Sequence, residues 1–89
     1  MKYTVMIKRK VASKSLGGLP KAERQALERL ITDLENNGPV QRGWRNYSAL
    51  SATEYHCHLS YHWVACWRHE AKTIEIEVYY VGSRENAPY

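Results

Sequence analysis

The stretch from Glu54 to His69, EYHCHLSYHWVACWRH, carries most of the side chains in this chain that can move protons or bind metal ions. It holds all four histidines and both cysteines, with two of the three tryptophans. Imidazoles titrate near neutral pH and also ligate metals. The stretch is therefore compatible with a metal site, with the working face of an enzyme or with an ordinary hydrophobic hairpin.

The pair His56 and His58 is the most compact candidate for a metal site. A strand places side chains two residues apart on one face, so both imidazoles could meet one ion. Zinc requires three or four ligands. His62, His69 or a glutamate could complete the set, but the sequence contains no second compact ligand pair. We therefore predict neither metal nor cofactor, and keep a metal-binding module as an alternative.

Strand alternation predicts where the two imidazoles point. In TEYHCHL, Tyr55, Cys57 and Leu59 share one face, and His56 and His58 share the other. The apolar set is expected to pack against a helix with Cys57 buried, which leaves the histidines on an open, polar face. The expected core side of the last strand consists of Ile74, Ile76, Val78 and Tyr80. Its expected polar side consists of Glu75, Glu77 and Tyr79.

The elements that must position this face follow along the chain. Tyr3–Lys8 predicts a strand, and Val11–Leu16 a short helix stopped by two glycines. A long helix is predicted over Leu19–Pro39. Its apolar stripe consists of Leu27, Leu30, Ile31 and Leu34, at helical spacing. Val40–Ser51 shows no period and predicts an irregular crossing.

Three strand-like runs follow, TEYHCHL, HWVACWRH and TIEIEVYYV, with joins short enough to require antiparallel neighbours. The predicted fold is a single α+β domain over residues 1–89. Its element order is strand-helix-helix-strand-strand-strand, with two N-terminal helices on one face of a small antiparallel sheet. The opposite face is then available to a partner.

Composition narrows the class of protein. A net charge of +4 and a pI of about 9.2 favour an anionic partner such as nucleic acid or the ribosome. Two cysteines are too few for a disulfide framework and indicate reduced thiols in a cytoplasmic protein. The first ten residues lack the apolar segment of a secretory signal, and we expect no membrane association.

The C-terminal segment VYYVGSRENAPY, together with YHCHL and VACW, resembles the RelE/HigB family of toxins from bacterial type II toxin–antitoxin pairs. The resemblance implies a small sheet backed by N-terminal helices. It also implies ribosome-dependent cleavage of messenger RNA, in which the ribose 2′-hydroxyl attacks the adjacent phosphate without a metal ion. The implied partners are a cognate antitoxin, the ribosome and messenger RNA.

The resemblance assigns roles to four catalytic candidates in this sequence. His56 and His58 match two basic residues spaced two apart, which are lysines in RelE itself, and would serve as acid and base. Arg84 matches an arginine just after the glycine that ends the last strand, and would hold the phosphate. Tyr89 matches a nearby tyrosine to within one position, and would stack on a base or orient the nucleophile.

One departure concerns phosphate binding. RelE carries a third-strand arginine near the position of Val64. Arg68 or Arg45 is expected to supply that contact instead, and Lys8 and Lys10 are further candidates for holding RNA phosphates. Two alternatives to the nuclease remain: a ParE-like inhibitor of DNA gyrase, which shares the fold, and a non-enzymatic basic or metal-binding module.

Overall fold

The computed structural model describes residues 2–89, with only the backbone described for residues 14–16. The described residues form one sheet and one long helix. The strands are β1 (Thr4–Ile7), β2 (Ser48–Ala49), β3 (Glu54–His58), β4 (Trp63–His69) and β5 (Glu75–Ser83). The helix, α1, is Lys21–Asn37. The strands lie in the order β1-β5-β4-β3-β2.

Helix α1 has the start and stop that its sequence predicts. It follows Pro20, and Glu23 in its first turn interacts favourably with the helix dipole. It ends at Gly38, whose φ of 88° suits glycine and whose N–H donates to the Leu34 carbonyl at 3.0 Å. A side chain at Gly38 would also meet the Tyr3 ring, with a Cβ only 2.8 Å away.

The core lies between α1 and one face of the sheet, as alternation in the sequence predicts. The helix and strands contribute Leu27, Leu30, Leu34, Cys57, Ala65, Trp67, Ile76, Val78 and Val81, all fully or almost fully buried. The prediction that Cys57 is buried is confirmed. Burial raises the pKa of the Cys57 and Cys66 thiols to about 12, so both are uncharged and weakly nucleophilic near neutral pH.

The prediction of two N-terminal helices is not confirmed, because only one long helix is present in the described residues. Between β1 and α1 the chain forms a π-helical turn over Val11–Ser15 and a 3₁₀ turn over Leu16–Gly18. A helix of fewer than about a dozen residues is marginal unless tertiary packing supports it, and Gly17 and Gly18 limit the length of this segment. The Ser13 hydroxyl donates to the Lys10 carbonyl at 3.3 Å, a local bond that competes with helix continuation. Among the described residues, no helix is long and apolar enough to cross a membrane.

The sheet is mixed rather than purely antiparallel, which corrects a second expectation. The β3–β4 and β4–β5 pairs are antiparallel, as their short joins predict. β1 instead pairs parallel to β5 at the far edge of the sheet, which reverses the expected direction. The crossing predicted as irregular contains the short β2, whose two residues pair antiparallel with β3.

A bulge in β5 overturns the predicted face of Tyr80. Cys66 pairs with Tyr80, but its neighbour Trp67 pairs with Val78, so Tyr79 is left without a partner opposite it. The extra residue shifts the alternation by one. Val78 and Val81 enter the core, while Tyr80 joins the face away from α1. That face of the sheet is called the distal face below.

The crossing segment is anchored to the end of α1 by polar side chains. Buried Gln41 donates its amide N–H groups to the carbonyls of Gly38 and Asp33, at 2.8 and 3.1 Å. The indole of Trp44 donates to an Asp33 carboxylate oxygen at 2.8 Å, and the indole of Trp67 to the Pro39 carbonyl at 2.9 Å. These bonds set the path by which the chain reaches β2 and the distal face.

Leu30→Ala should lower the free energy of unfolding by about 2–5 kcal/mol, because Leu30 is completely buried beneath the sheet. Urea denaturation at neutral pH measures the change. The matched control is Ile74→Ala, which removes an aliphatic side chain that is 61% exposed and should change stability by less than about 0.5 kcal/mol. Equal losses in the two variants would contradict the assignment of the core.

Candidate functional site

His56 and His58 lie side by side on the distal face of β3, where alternation places them. Their ring centroids are 5.9 Å apart. The expectation that the histidines lie on an open face is wrong, because His56 is only 8% exposed and His58 only 7%. The Nδ1 atom of His58 is buried and has no hydrogen-bond partner among the described residues. A buried polar atom without a partner is costly, and such atoms often occur at functional sites.

Ser48 of β2 holds His56 from the neighbouring strand. The register pairs Ser48 directly with His56, and the Ser48 Oγ lies 3.0 Å from the imidazole Nδ1. With Nδ1 held by Ser48, Nε2 is the ring nitrogen left for a ligand. Sequence reasoning missed Ser48, because a two-residue strand inside an aperiodic segment gives no periodic signal.

Burial and the charges of two guanidinium groups lower the pKa of His58. Burial lowers the pKa of His58 most, and the positive charge of Arg84 lowers it further. A hydrogen bond with the backbone of Ser60 opposes this shift, and the charge of Arg45 adds a smaller lowering. Arg45 is exposed, and its carbonyl accepts the His58 backbone N–H at 2.8 Å. The crossing segment thus places one charge beside His58 and the C-terminal segment places the other.

The pKa of His56 is also lowered, but by a partly different set of causes. Burial lowers the pKa of His56 and the neighbouring His58 lowers it further, while a hydrogen bond with the Ser48 backbone opposes both effects. No guanidinium group contributes to this shift. Both imidazoles are therefore biased towards the neutral form at neutral pH in the free protein, for partly different reasons.

Tyr89 returns over the distal face and packs on His56. The two ring centroids are 4.4 Å apart, while Tyr89 remains 54% exposed. Burial of part of the ring raises the pKa of its phenol, with smaller contributions from Cys66 and Tyr80 and an opposing one from Arg84. The phenol is therefore a neutral hydrogen-bond donor near pH 7.

The strand residues beside His58 on the distal face are apolar or small. Val64 is fully buried, and the register pairs it with His58 on one side and Gly82 on the other. A Cβ at Gly82 would lie 2.8 Å from the hydroxyl oxygen of Tyr80, which donates to the Ser83 carbonyl at 2.7 Å. Glycine at this position lets the Tyr80 ring lie along the strand, with its hydroxyl at Ser83.

Arg68 lies on the same face, but its side chain interacts with Glu77 and Tyr79 rather than with the histidines. It pairs in register with Glu54 rather than with a histidine. Its guanidinium donates to Glu77 at 3.0 Å and lies 4.5 Å from the centre of the Tyr79 ring, whose hydroxyl donates to Glu54 at 2.9 Å. Glu77 is thus the cross-strand ion-pair partner of Arg68. A role for Arg68 in holding RNA stays a prediction.

The two lysine candidates are not brought to the histidines. Lys8 is exposed just after β1, and its backbone N–H donates to the Val78 carbonyl at 2.9 Å. β1 and β3 are separated by β5 and β4, which puts about 14 Å between them at normal strand spacing. Lys10 is also exposed, in the segment that follows β1. Contacts from these lysines to a longer RNA stay predictions.

No three histidine, cysteine, aspartate or glutamate side chains converge on one point in the part of the chain that the structure describes. The strand geometry accounts for this in the case of Cys57, which points into the core while His56 and His58 point away from it. The group formed by His56, His58, Arg84 and Tyr89 is called the histidine site below. It combines two near-neutral imidazoles, a phenol and a guanidinium.

Comparisons with known structures identify the fold. The chain is similar to a protein in the crystal structure of the archaeal RelE–RelB complex from Pyrococcus horikoshii, with 21% identity, a TM-score of 0.76, and coverage of 98% of this chain and 100% of that one. It is also similar to a double mutant of the Escherichia coli toxin RelE in the free state. The identity there is 16% and the TM-score 0.73, over 98% of this chain and 88% of that one.

A third likeness is to a chain of the YoeB–YefM complex from Staphylococcus aureus, with 10% identity and a TM-score of 0.70, over 94% of this chain and 99% of that one. No protein-family model and no curated protein sequence matches the chain. The chain therefore has the RelE/YoeB toxin fold, as its sequence motifs predict. Because the sequence identities are low, these likenesses establish the fold alone.

Arg84→Gln should raise the pKa of His58, because it removes a positive charge that disfavours the imidazolium. The pKa of His56, to which Arg84 does not contribute, should change less. Titration of the imidazole resonances by two-dimensional NMR measures both values. The matched control is Arg68→Gln, which removes the same charge from the distal face and should leave both values unchanged. Equal shifts in the two variants would contradict the proximity of Arg84 to His58.

Proposed function

We propose that this chain is the toxin of a toxin–antitoxin pair and that it cleaves messenger RNA on the ribosome. The observation that carries the proposal is the histidine site itself. Two adjacent imidazoles with lowered pKa values lie beside a guanidinium group, on a face opposite the helix. Likeness to solved structures of RelE and YoeB supports the toxin class.

The chemistry that best suits these groups is internal transfer of an RNA phosphodiester. The ribose 2′-oxygen attacks the adjacent phosphorus, the bond from phosphorus to O5′ breaks, and the products are a 2′,3′-cyclic phosphate and a 5′-hydroxyl. A base must take the 2′-hydroxyl proton, and an acid must donate a proton to O5′. Because the nucleophile belongs to the substrate, the reaction as proposed requires no metal ion.

His58 is proposed as the base. Burial and two guanidinium neighbours favour its neutral form, which is the form that accepts a proton. His56 is proposed as the acid. A hydrogen bond that the imidazole donates to the Ser48 backbone supports its protonated form, and an RNA phosphate entering the site would favour that form further. Arg84 would bind the phosphate oxygens and stabilise the charge that develops on them.

Tyr89 is proposed to orient the reacting nucleotide. Its ring already packs on His56, and its phenol stays protonated near neutral pH. It could therefore donate a hydrogen bond or stack on a base. Arg45, exposed beside His58, is proposed as the second phosphate contact in place of the missing third-strand arginine, because the position of Val64 is buried and apolar.

A cognate antitoxin is the proposed protein partner. Two of the similar solved structures are complexes, RelE–RelB and YoeB–YefM. The net charge of +4 suits both an acidic protein partner and the ribosome, and would speed association with either. The proposed setting is the cytoplasm, where ribosomes and messenger RNA are found.

His58→Ala should slow cleavage by about 10²–10⁴-fold, the usual contribution of a general acid or base. Arg84→Ala should slow it by about 10²–10³-fold, because a preorganised donor to the developing charge is lost. Primer extension on a message in a purified translation reaction measures both. The control is Arg29→Ala, which removes an exposed arginine on α1 and should leave the cuts unchanged.

Discrete cuts from the wild type, with 5′-hydroxyl ends and no dependence on added metal, would support the nuclease. Full cleavage by both His58→Ala and Arg84→Ala would overturn the site. Absence of cuts together with inhibited supercoiling by purified gyrase would replace the proposed function with gyrase inhibition. Stoichiometric zinc binding without cuts would replace it with a metal-binding module.

His56→Ala should recover most of its cleavage rate on a message whose scissile O5′ is replaced by sulfur, because a thiolate leaves without needing a proton. His58→Ala should remain slow on the same message, since the 2′-hydroxyl proton must still be removed. Single-turnover rates on the two messages measure this difference. The reverse pattern would exchange the roles of the two histidines.

A further inference from the structure

The turn between β3 and β4 presents an aromatic ring beside the histidine site. Tyr61 is 61% exposed, more than Tyr89 at 54%. The Arg84 guanidinium carbon lies 4.7 Å from the centre of the Tyr61 ring, and the His62 ring packs edge-on with its centroid 4.7 Å away. Arg84 lies over the Tyr61 ring, His62 packs against that ring at 72° to its plane, and the 61% exposure of Tyr61 leaves ring surface accessible to a ligand.

Backbone hydrogen bonds hold this arrangement in place. The N–H groups of Leu59 and Ser60 both donate to the Trp63 carbonyl, at 2.8 and 3.2 Å, which closes the turn. The Arg84 N–H donates to the His62 carbonyl at 2.8 Å and ties the C-terminal segment to the turn. The ring and the guanidinium are therefore positioned before any ligand arrives, which lowers the entropy cost of binding.

The contact with Tyr61 leaves the N–H donors of Arg84 available, because its guanidinium makes no hydrogen bond or ion pair with the described residues. A guanidinium that stacks through its flat face still directs its N–H donors outward in its own plane. Arg84 is also close enough to His58 to lower the pKa of that imidazole. A phosphate held at the edge of Arg84 would thus lie next to the histidine site and to Tyr61. A nucleotide bound through that phosphate would bring its base to the Tyr61 ring.

We propose that Tyr61, backed by Arg84 and flanked by His62, is a stacking platform for one base of a single-stranded RNA whose phosphate is bound at Arg84. This platform rests on the proposed function and extends it by giving the site a contact to a base. Every nucleobase has a π face, so the platform accepts any base and favours the purines, which stack more strongly. It therefore contributes a modest preference for the nucleotide at one position relative to the cut.

RNA is favoured over a protein as the occupant of this ring. An apolar side chain of a partner would need an apolar surround, whereas Tyr61 is flanked by Arg84 and His62. An aromatic ring beside a cation suits the joined base and phosphate of a nucleotide.

The test is fluorescence anisotropy with a labelled hexa-adenylate carrying 2′-O-methyl riboses, which cannot be cleaved, and with a set of oligomers that lack one base each. Wild type should bind hexa-adenylate more tightly than the oligomer abasic at one particular position. Tyr61→Ala should weaken hexa-adenylate binding at least about fivefold and remove the effect of that missing base. Tyr61→Trp should preserve both.

Two variants serve as controls. Ile74→Ala removes a side chain with the same 61% exposure, just before β5 and about 30 Å along that strand from Arg84, and should bind as wild type does. Arg84→Gln should reduce the slope of log affinity against log salt by about 0.7, the effect of one phosphate contact on single-stranded RNA. Tyr61→Ala should leave that slope unchanged, which separates stacking from charge.

The platform is overturned if Tyr61→Ala binds as tightly as wild type, if it retains sensitivity to the same missing base, or if wild type itself does not bind the oligomer. These outcomes are independent of cleavage. A wild type that cuts messages while Tyr61 proves irrelevant to binding would leave the nuclease intact and remove the platform. A wild type that binds RNA through Tyr61 but cuts no message would support the platform and remove the proposed nuclease.

Discussion

The packing of α1 against one face of β3, β4 and β5 determines what the other face presents. Leu30 and Leu34 are completely buried against Cys57, Ala65 and Trp67, which commits those strand residues to the inner side. Side chains alternate along a strand, so the residues between them must face outward. A slip of one residue in β3 would turn the imidazoles into the apolar core and Cys57 out of it, and loss of the buried apolar area opposes that slip.

This constraint explains how a small domain can hold ionisable groups in a defined state. His58 lies beside fully buried Val64 on the distal face, and the Tyr89 ring packs on His56. Desolvation is the largest cause of the lowered pKa of both His56 and His58. The apolar residues around the site therefore set its proton affinity as directly as the neighbouring charges do.

The groups around the histidines come from separate parts of the chain. Ser48 and Arg45 arrive on the crossing segment, while Arg84 and Tyr89 arrive after β5. The crossing segment is held by bonds to the end of α1 and by a stack of Tyr47, Tyr55 and Trp67 with ring centroids 6.2 to 6.3 Å apart. Several independent contacts thus converge on one site, which limits how far any one group can move.

The sequence by itself determined the helix, the three main strands and the outward direction of His56 and His58, because each depends on local periodicity and on burial of an apolar stripe. Its C-terminal motif also indicated the toxin fold. Only the tertiary structure decided the parallel pairing of β1, the pairing of Ser48 with His56, the outward shift of Tyr80 and the position of Tyr61 against Arg84. These features depend on a bulge, on edge pairing and on contacts between segments distant in the chain, which leave no periodic trace in the order of residues.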